Sequence, residues 1–78
     1  MVEVFKTNVQ HRDLAEQLVS ILRSRLPSSR INFDLADCDK ILRVEGNQIC
    51  VETIIETLNT HGHDARFLNS KIVNNKNR

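Results

Sequence analysis

The segment RINFDLADCDKILRVEGN, residues 30–47, decides the fold of this 78-residue chain. Apolar and polar residues alternate over 31–35, and a second apolar run covers 41–44 after the polar turn 37–40. Alternation with a period of two is typical of strands that bury one face. Gly46 follows the second run and favours a turn where the strand ends. We therefore predict a β-hairpin in the middle of the chain.

An amphipathic helix is predicted on each side of this hairpin. Apolar residues recur at helical spacing over 14–26, and Pro27 ends that pattern. After the hairpin, apolar residues over 51–58 follow the spacing i, i+3, i+4, i+7. Gly62 then lies where a helix commonly ends in a left-handed residue.

Strands are expected at both ends of the folded part. Residues 2–7 begin with alternating Val and Glu, and residues 64–68 form a short last strand. The order strand, helix, strand, strand, helix, strand defines a ferredoxin-like α+β sandwich, in which a four-stranded antiparallel sheet carries both helices on one face. We expect residues 1–68 to form this single domain and residues 69–78, rich in Asn and Lys, to be a disordered polar tail.

Length and composition limit the function. The chain has a net charge of +1 and two cysteines, and no apolar run approaches the roughly eighteen residues that a membrane span needs. A domain of this size uses most of its apolar residues for its core, so we expect no deep substrate pocket. The start MVEVFK lacks the regions of an export signal. We expect a cytoplasmic protein that does not insert into a membrane and keeps its cysteines reduced.

The order of short motifs resembles the heavy-metal-associated (HMA) domain family. The matching segments are Leu26-Pro27, the strands INFDL (31–35) and LRVEGN (42–47), the helix over 51–58 and the turn HGHDA (61–65). The resemblance implies the ferredoxin-like fold. It also implies a carrier rather than an enzyme, either a chaperone for copper or another soft metal or the metal domain of a transporter, which passes its ion to a similarly folded partner.

The loop that holds the ion in this family lacks its usual ligands here. HMA domains carry Cys-x-x-Cys after the first strand, whereas this chain reads TNVQHRD over residues 7–13. The resemblance puts Asn8 and His11 at the two cysteine positions, and a shift of one residue would put Val9 and Arg12 there. Neither alignment supplies a thiolate, and soft ions such as Cu(I) select sulfur ligands. We therefore predict a binding module without the usual soft-metal site and without a cofactor, acting in protein interaction.

A rebuilt metal site is the alternative prediction. In the expected topology, one end of the sheet carries the first loop, the hairpin turn and the link before the last strand. These three connections contain His11, Cys38, His61 and His63. Imidazole and thiolate are ligands for Zn, Cu and Ni ions. His11 with His61 or His63 is the favoured combination because these two loops are neighbours in the family. The turn that carries Cys38 is expected to lie farther away.

Each of these residues also has a structural interpretation. His61, in the last turn of the second helix, can interact with the C-terminal carbonyl groups. His63 can be a spacer against the first loop, and His11 can be an ordinary residue of the first helical turn. Asn8 is a favourable N-cap for the first helix.

Cys50 is a candidate reactive thiol. It lies near the start of the second helix, where the pKa of a thiol is lowered.

A protein-interaction surface is predicted on the open face of the sheet. We expect Phe5 and Ile41 to lie on adjacent central strands of this face, with Arg43 among the charged residues around them. The partner would be another protein or a second copy of the chain. A single aromatic residue on this face and a net charge of +1 argue against nucleic-acid binding, which uses aromatic stacking and cationic surfaces.

Overall fold

The computed structural model describes residues 1–68 and contains the six predicted elements in the predicted order. The predicted disordered tail, residues 69–78, lies outside the described residues. The elements are strand β1 (Val2–Thr7), helix α1 (Arg12–Arg25), strands β2 (Arg30–Asp34) and β3 (Ile41–Glu45), helix α2 (Val51–Thr60) and strand β4 (Ala65–Leu68).

Within residues 1–68, the strands form one antiparallel sheet in the order β2-β3-β1-β4. β1 pairs with both β3 and β4, and β2 pairs with β3. Helix α1 contacts β2, α2 contacts β4, and the two helices contact each other. This is the predicted ferredoxin-like α+β fold, and it leaves one face of the sheet open.

Helix α2 ends in a Schellman motif that fixes the link to β4. The Gly62 N–H donates to the Asn59 carbonyl over 3.0 Å, and the His63 N–H donates to the Leu58 carbonyl over 2.9 Å. Gly62 has a φ of 83°, a conformation that the absence of a Cβ makes accessible. Neither helix of the described part is both long and apolar enough to cross a membrane.

The core lies between the helices and the covered face of the sheet. Its apolar members retain at most 8% exposure. They come from every element except β4, and the first loop contributes as well. The cluster consists of Phe5, Val9, Ala15, Leu18, Leu22, Ile31, Phe33, Leu42, Val44, Ile54 and Leu58.

The orientation of β1 differs from the prediction. Phe5 is fully buried in the core rather than on the open face, with its ring centroid 5.5 Å from that of Phe67. Phe5 pairs with the buried Leu42, and directly opposed residues of antiparallel strands share a face. Burial of the aromatic ring removes more apolar surface from water than burial of Val4 would. This gain offsets the cost of turning Glu3, near the end of the strand, toward the covered side.

Candidate functional site

The end of β1 is joined by hydrogen bonds to the hairpin turn. The Thr7 N–H donates to the Asp39 carbonyl over 3.1 Å, and the Thr7 hydroxyl donates to the Lys40 carbonyl over 2.6 Å. The Lys6 ammonium forms an exposed ion pair with Asp39 at 3.5 Å. The hairpin turn that carries Cys38 is therefore bonded to the end of β1.

Asn8 connects the first loop to the link between α2 and β4. Its side-chain carbonyl accepts the Asp64 backbone N–H over 2.9 Å, and its amide group donates to the Asp64 carboxylate over 3.4 Å. The two residues are 56 positions apart in the sequence, so the pair is a tertiary contact. The side chain at the expected position of the first cysteine is thus already engaged with the neighbouring loop.

Helix α1 begins without a side-chain cap. His11, not Asn8, occupies the N-cap position, and its side chain forms no capping hydrogen bond. The predicted capping role of Asn8 is therefore wrong. Val9 is fully buried in the core, and its N–H donates to the Thr7 hydroxyl over 3.2 Å. Because Val9 draws the loop into the core, Asn8 lies too far from the helix to cap it and bonds to Asp64 instead.

None of the three histidines belongs to a group of three or more potential metal ligands in the described part of the chain. Their ring nitrogens belong to no group of three or more ligand atoms within 4.8 Å of one another. His61 Nδ1 lies 2.9 Å from the Thr57 carbonyl oxygen, which confirms its predicted interaction with the end of the helix. His11 is exposed at the start of α1, and His63 is half-buried in the link before β4.

Cys38 belongs to a compact acidic group in the hairpin turn. The ligand atoms of Asp37, Cys38 and Asp39 lie within 4.8 Å of one another, and both Asp37 and Cys38 are exposed. The Asp37 carboxylate accepts the Asp39 N–H over 2.8 Å, and Asp39 pairs with Lys6. Within residues 1–68 no ligand from another loop joins this group. The contacts are those of a polar turn.

Cys50 is an exposed free thiol at the N-cap position of α2. Its side chain forms no capping hydrogen bond. The Thr53 hydroxyl is the largest influence that lowers the pKa of the Cys50 thiol, and the Thr53 backbone N–H acts in the same direction. Cys38 is also free, and the two cysteines lie on different connections of the fold.

Within residues 1–68, three apolar side chains lie half-buried on the open face, outside the core. Val4 and Leu68 are cross-strand partners, and Ile41 lies opposite Lys6 on the neighbouring strand. None of the three packs against the core cluster. We call Val4, Ile41 and Leu68 the open-face patch. The predicted surface therefore keeps Ile41 and loses Phe5. Val4 was not predicted because β1 was expected in the opposite orientation, and Leu68 was not among the residues predicted for this surface.

Charged side chains surround the open-face patch, and cations outnumber carboxylates. Arg43 is the cross-strand partner of Val4, and Lys6 is the partner of Ile41. For the described residues, the strand register assigns four cations and two carboxylates to this face: Lys6, Arg30, Arg43, Arg66, Asp34 and Glu45. The open face therefore combines an apolar centre with a rim of net positive charge, in which Lys6 is paired with Asp39 of the hairpin turn.

No model of a known protein family matches the chain, and no curated protein matches it. The ferredoxin-like fold serves many unrelated functions, so the fold alone assigns none. Two features carry a candidate function. One is the open face, and the other is the loop end, where the first loop (8–11), the hairpin turn (37–40) and the link between α2 and β4 (61–64) lie.

Proposed function

We propose that this chain is a non-enzymatic binding module of HMA-like architecture that acts in protein interaction in the cytoplasm and carries no ion. The observation that carries this proposal is the open-face patch, three apolar side chains that neither helix covers. An apolar centre within a charged rim is the usual anatomy of a protein interface. The patch lies on regular strands, so a partner would meet a rigid surface.

The loop end supports the ion-free part of the proposal. Asn8, which the HMA resemblance puts at the position of the first cysteine, is bonded to Asp64 through both of its side-chain polar atoms. A soft-metal ion would have to displace these contacts, and it would find no thiolate in the loop. Burial of Val9 already fixes the loop, which leaves no need for an ion to organise it. The donor set therefore does not fit the ion that HMA domains carry.

The partner protein that fits the open face presents carboxylates around an apolar centre. Arg43 and Lys6 are direct neighbours of Val4 and Ile41, so a bound apolar group would be flanked by cations. Complementary charge speeds encounter and selects the partner. Because these cations are exposed, added salt should weaken the association.

Selection from a displayed random-peptide library tests this interaction. The bound peptides are compared on the parent, on Ile41→Glu and on the matched control Ile21→Glu. Ile21 lies on α1 and, like Ile41, is half-buried and not packed against the core cluster. Both variants therefore add one carboxylate at a half-buried apolar site, but only Ile41→Glu adds it to the open-face patch.

We expect the selected peptides to combine Asp and Glu with apolar residues. Their affinity should fall about tenfold or more with Ile41→Glu, since a carboxylate would then meet the acidic partner, and should stay unchanged with Ile21→Glu. Circular dichroism establishes that both variants are folded. Peptides that bind all three proteins equally, or no enrichment at all, would contradict the proposed interaction.

A further inference from the structure

The outer edge of β2 is open for pairing in the described part of the chain. β2 is an edge strand, and its ladder partner within residues 1–68 is β3. The pairing with β3 runs without a bulge over all five residues of β2, which include neither Pro nor Gly. Bulges and prolines are devices by which edge strands avoid association. We propose that two copies of this chain form a symmetric dimer by pairing β2 with β2 in antiparallel orientation.

The sequence of β2 is complementary to itself. In an antiparallel pair centred on Asn32, Asn32 lies opposite its own copy, Arg30 lies opposite Asp34, and Ile31 lies opposite Phe33. The two-fold axis repeats each unlike pair, as in any isologous interface. Pairs of opposite charge and pairs of an aromatic with a β-branched residue are among those that stabilise neighbouring strands. A second copy of β2 is therefore complementary to the edge both in charge and in the positions of its apolar residues.

Other registers lose this complementarity. Opposed residues of paired strands must lie on the same face, so the centre of the pair can move only to another residue of the strand. A pair centred on Ile31 puts Arg30 opposite Asn32, and a pair centred on Phe33 puts Asp34 opposite Asn32. Both alternatives shorten the overlap and separate the opposite charges, so the register centred on Asn32 is favoured.

Burial and charge at the edge are compatible with a second strand beside β2, although Arg30 also lies opposite Glu45 on β3. Ile31 and Phe33 retain 6% and 8% exposure, whereas every other member of the core cluster retains 2% or less. On the open face, Arg30 and Asp34 are exposed, and neither forms an ion pair with another described residue. Pairing with a second β2 would cover the two apolar side chains and give both charges a partner.

Helix α1 provides a second complementary contact in the same dimer. Glu16, Val19 and Arg23 share one side of the helix because they are spaced by three and four residues. Val19 is half-buried, and Glu16 and Arg23 are exposed. A right-handed β1–α1–β2 crossover turns this side toward the outer edge of β2. The two-fold axis of the dimer makes α1 antiparallel to the α1 helix of the second copy. Glu16 of one copy therefore approaches Arg23 of the other.

Charge exchange at the two ends of β2 tests the dimer. Sedimentation equilibrium over a concentration series measures the dimer fraction of the full chain, of Arg30→Asp and of Asp34→Arg. Each single variant puts like charges opposite each other at both ends of the strand pair, so the dissociation constant should rise about tenfold or more. The double variant R30D/D34R restores both pairs and should dimerise like the parent.

Mixing the two single variants makes the test specific to this register. Arg30→Asp leaves two carboxylates on the open side of β2 and Asp34→Arg leaves two cations, so an equal mixture should form a mixed dimer. Arg43→Asp is the matched control, because it makes the same charge change on the neighbouring strand β3. This control should dimerise like the parent, even though it should weaken binding of the acidic peptides described above.

Several results would overturn the dimer. A parent that stays monomeric at every concentration, single variants that dimerise like the parent, or a mixture that stays monomeric would each exclude the proposed pairing. Loss of dimer in Arg43→Asp would instead indicate contact through the open face. Circular dichroism of all variants establishes that a change in mass reflects association, since Arg30, Asp34 and Arg43 are all exposed and none is needed for the core.

Discussion

Asn8 and Asp64 join two loops through groups that need no ion. The contact combines a backbone N–H donor at 2.9 Å with a longer side-chain bond at 3.4 Å, and both are exposed. Thr7 and Val9 hold the same loop from inside, through a hydrogen bond and through burial. The contacts of Thr7, Asn8 and Val9 therefore fix the shape of this end of the domain. Each of these contacts can be tested by a single substitution.

Asn8→Ala should lower the free energy of unfolding by about 1 kcal/mol, because it removes a net hydrogen-bond contribution of that size. Urea unfolding followed by circular dichroism measures the change. Gln10→Ala is the control, since Gln10 is an exposed residue of the same loop. Equal stability of the two variants would show that the bond to Asp64 contributes nothing.

The Cys50 thiol should react with iodoacetamide at a lower pH than it does after Thr53→Val. The Thr53 hydroxyl lowers the pKa of the Cys50 thiol, and the thiolate is the reactive form. Removal of the hydroxyl raises that pKa toward its ordinary value, so the alkylation rate of the variant should rise only at higher pH. Rates are measured in a Cys38→Ser background. Superimposable pH profiles would exclude the influence of Thr53.

At the scale of elements, the face that β1 presents decides which residues are core and which are surface. Phe5 packs against Phe67 on the covered face, and Val4 lies on the open face beside Leu68. A strand has a period of two, so one choice of orientation fixes every side chain in it. The same choice moves the proposed interaction surface from Phe5 to the open-face patch.

Phe5→Ala should leave the domain largely unfolded. Truncation of a buried Phe costs about 3–5 kcal/mol, which is comparable with the whole stability of a domain of this size. Lys6→Ala, at the next and exposed position, should cost less than about 0.5 kcal/mol. Thermal unfolding of both variants measures the difference. A folded Phe5→Ala variant with the stability of the parent would be inconsistent with the orientation of β1.

The sequence predicted the elements better than it predicted the contacts between them. The period-of-two pattern over 31–35 and the helical pattern over 51–58 correspond to elements of the fold, and Gly62 ends α2 as expected. The orientation of β1 was ambiguous because residues 2–5, VEVF, offer apolar residues to both faces. The bond between Asn8 and Asp64 depends on the paths of two distant loops, which no local periodicity encodes.

At the scale of the whole molecule, the helices cover one face of the sheet and leave the other free. The open face combines apolar residues with a net positive rim, and the edge strand β2 is complementary to itself. Pairing through β2 would join two open faces into one continuous surface, so the proposed dimer and the proposed partner binding are compatible. Neither surface uses the loop end, where the HMA resemblance would lead one to expect an ion.

An NMR titration of the full chain, observing amide and imidazole groups, tests most directly whether the domain works without an ion. Zn(II), Ni(II) and, under reducing conditions, Cu(I) are added to the parent and to N8C/H11C, which restores the Cys-x-x-Cys spacing. We predict no saturable shift in residues 7–13 and 60–64 of the parent, and Cu(I)-dependent shifts in the first loop of the variant. Saturable shifts of His11, His61 and His63 in the parent would contradict this account and indicate a rebuilt histidine metal site.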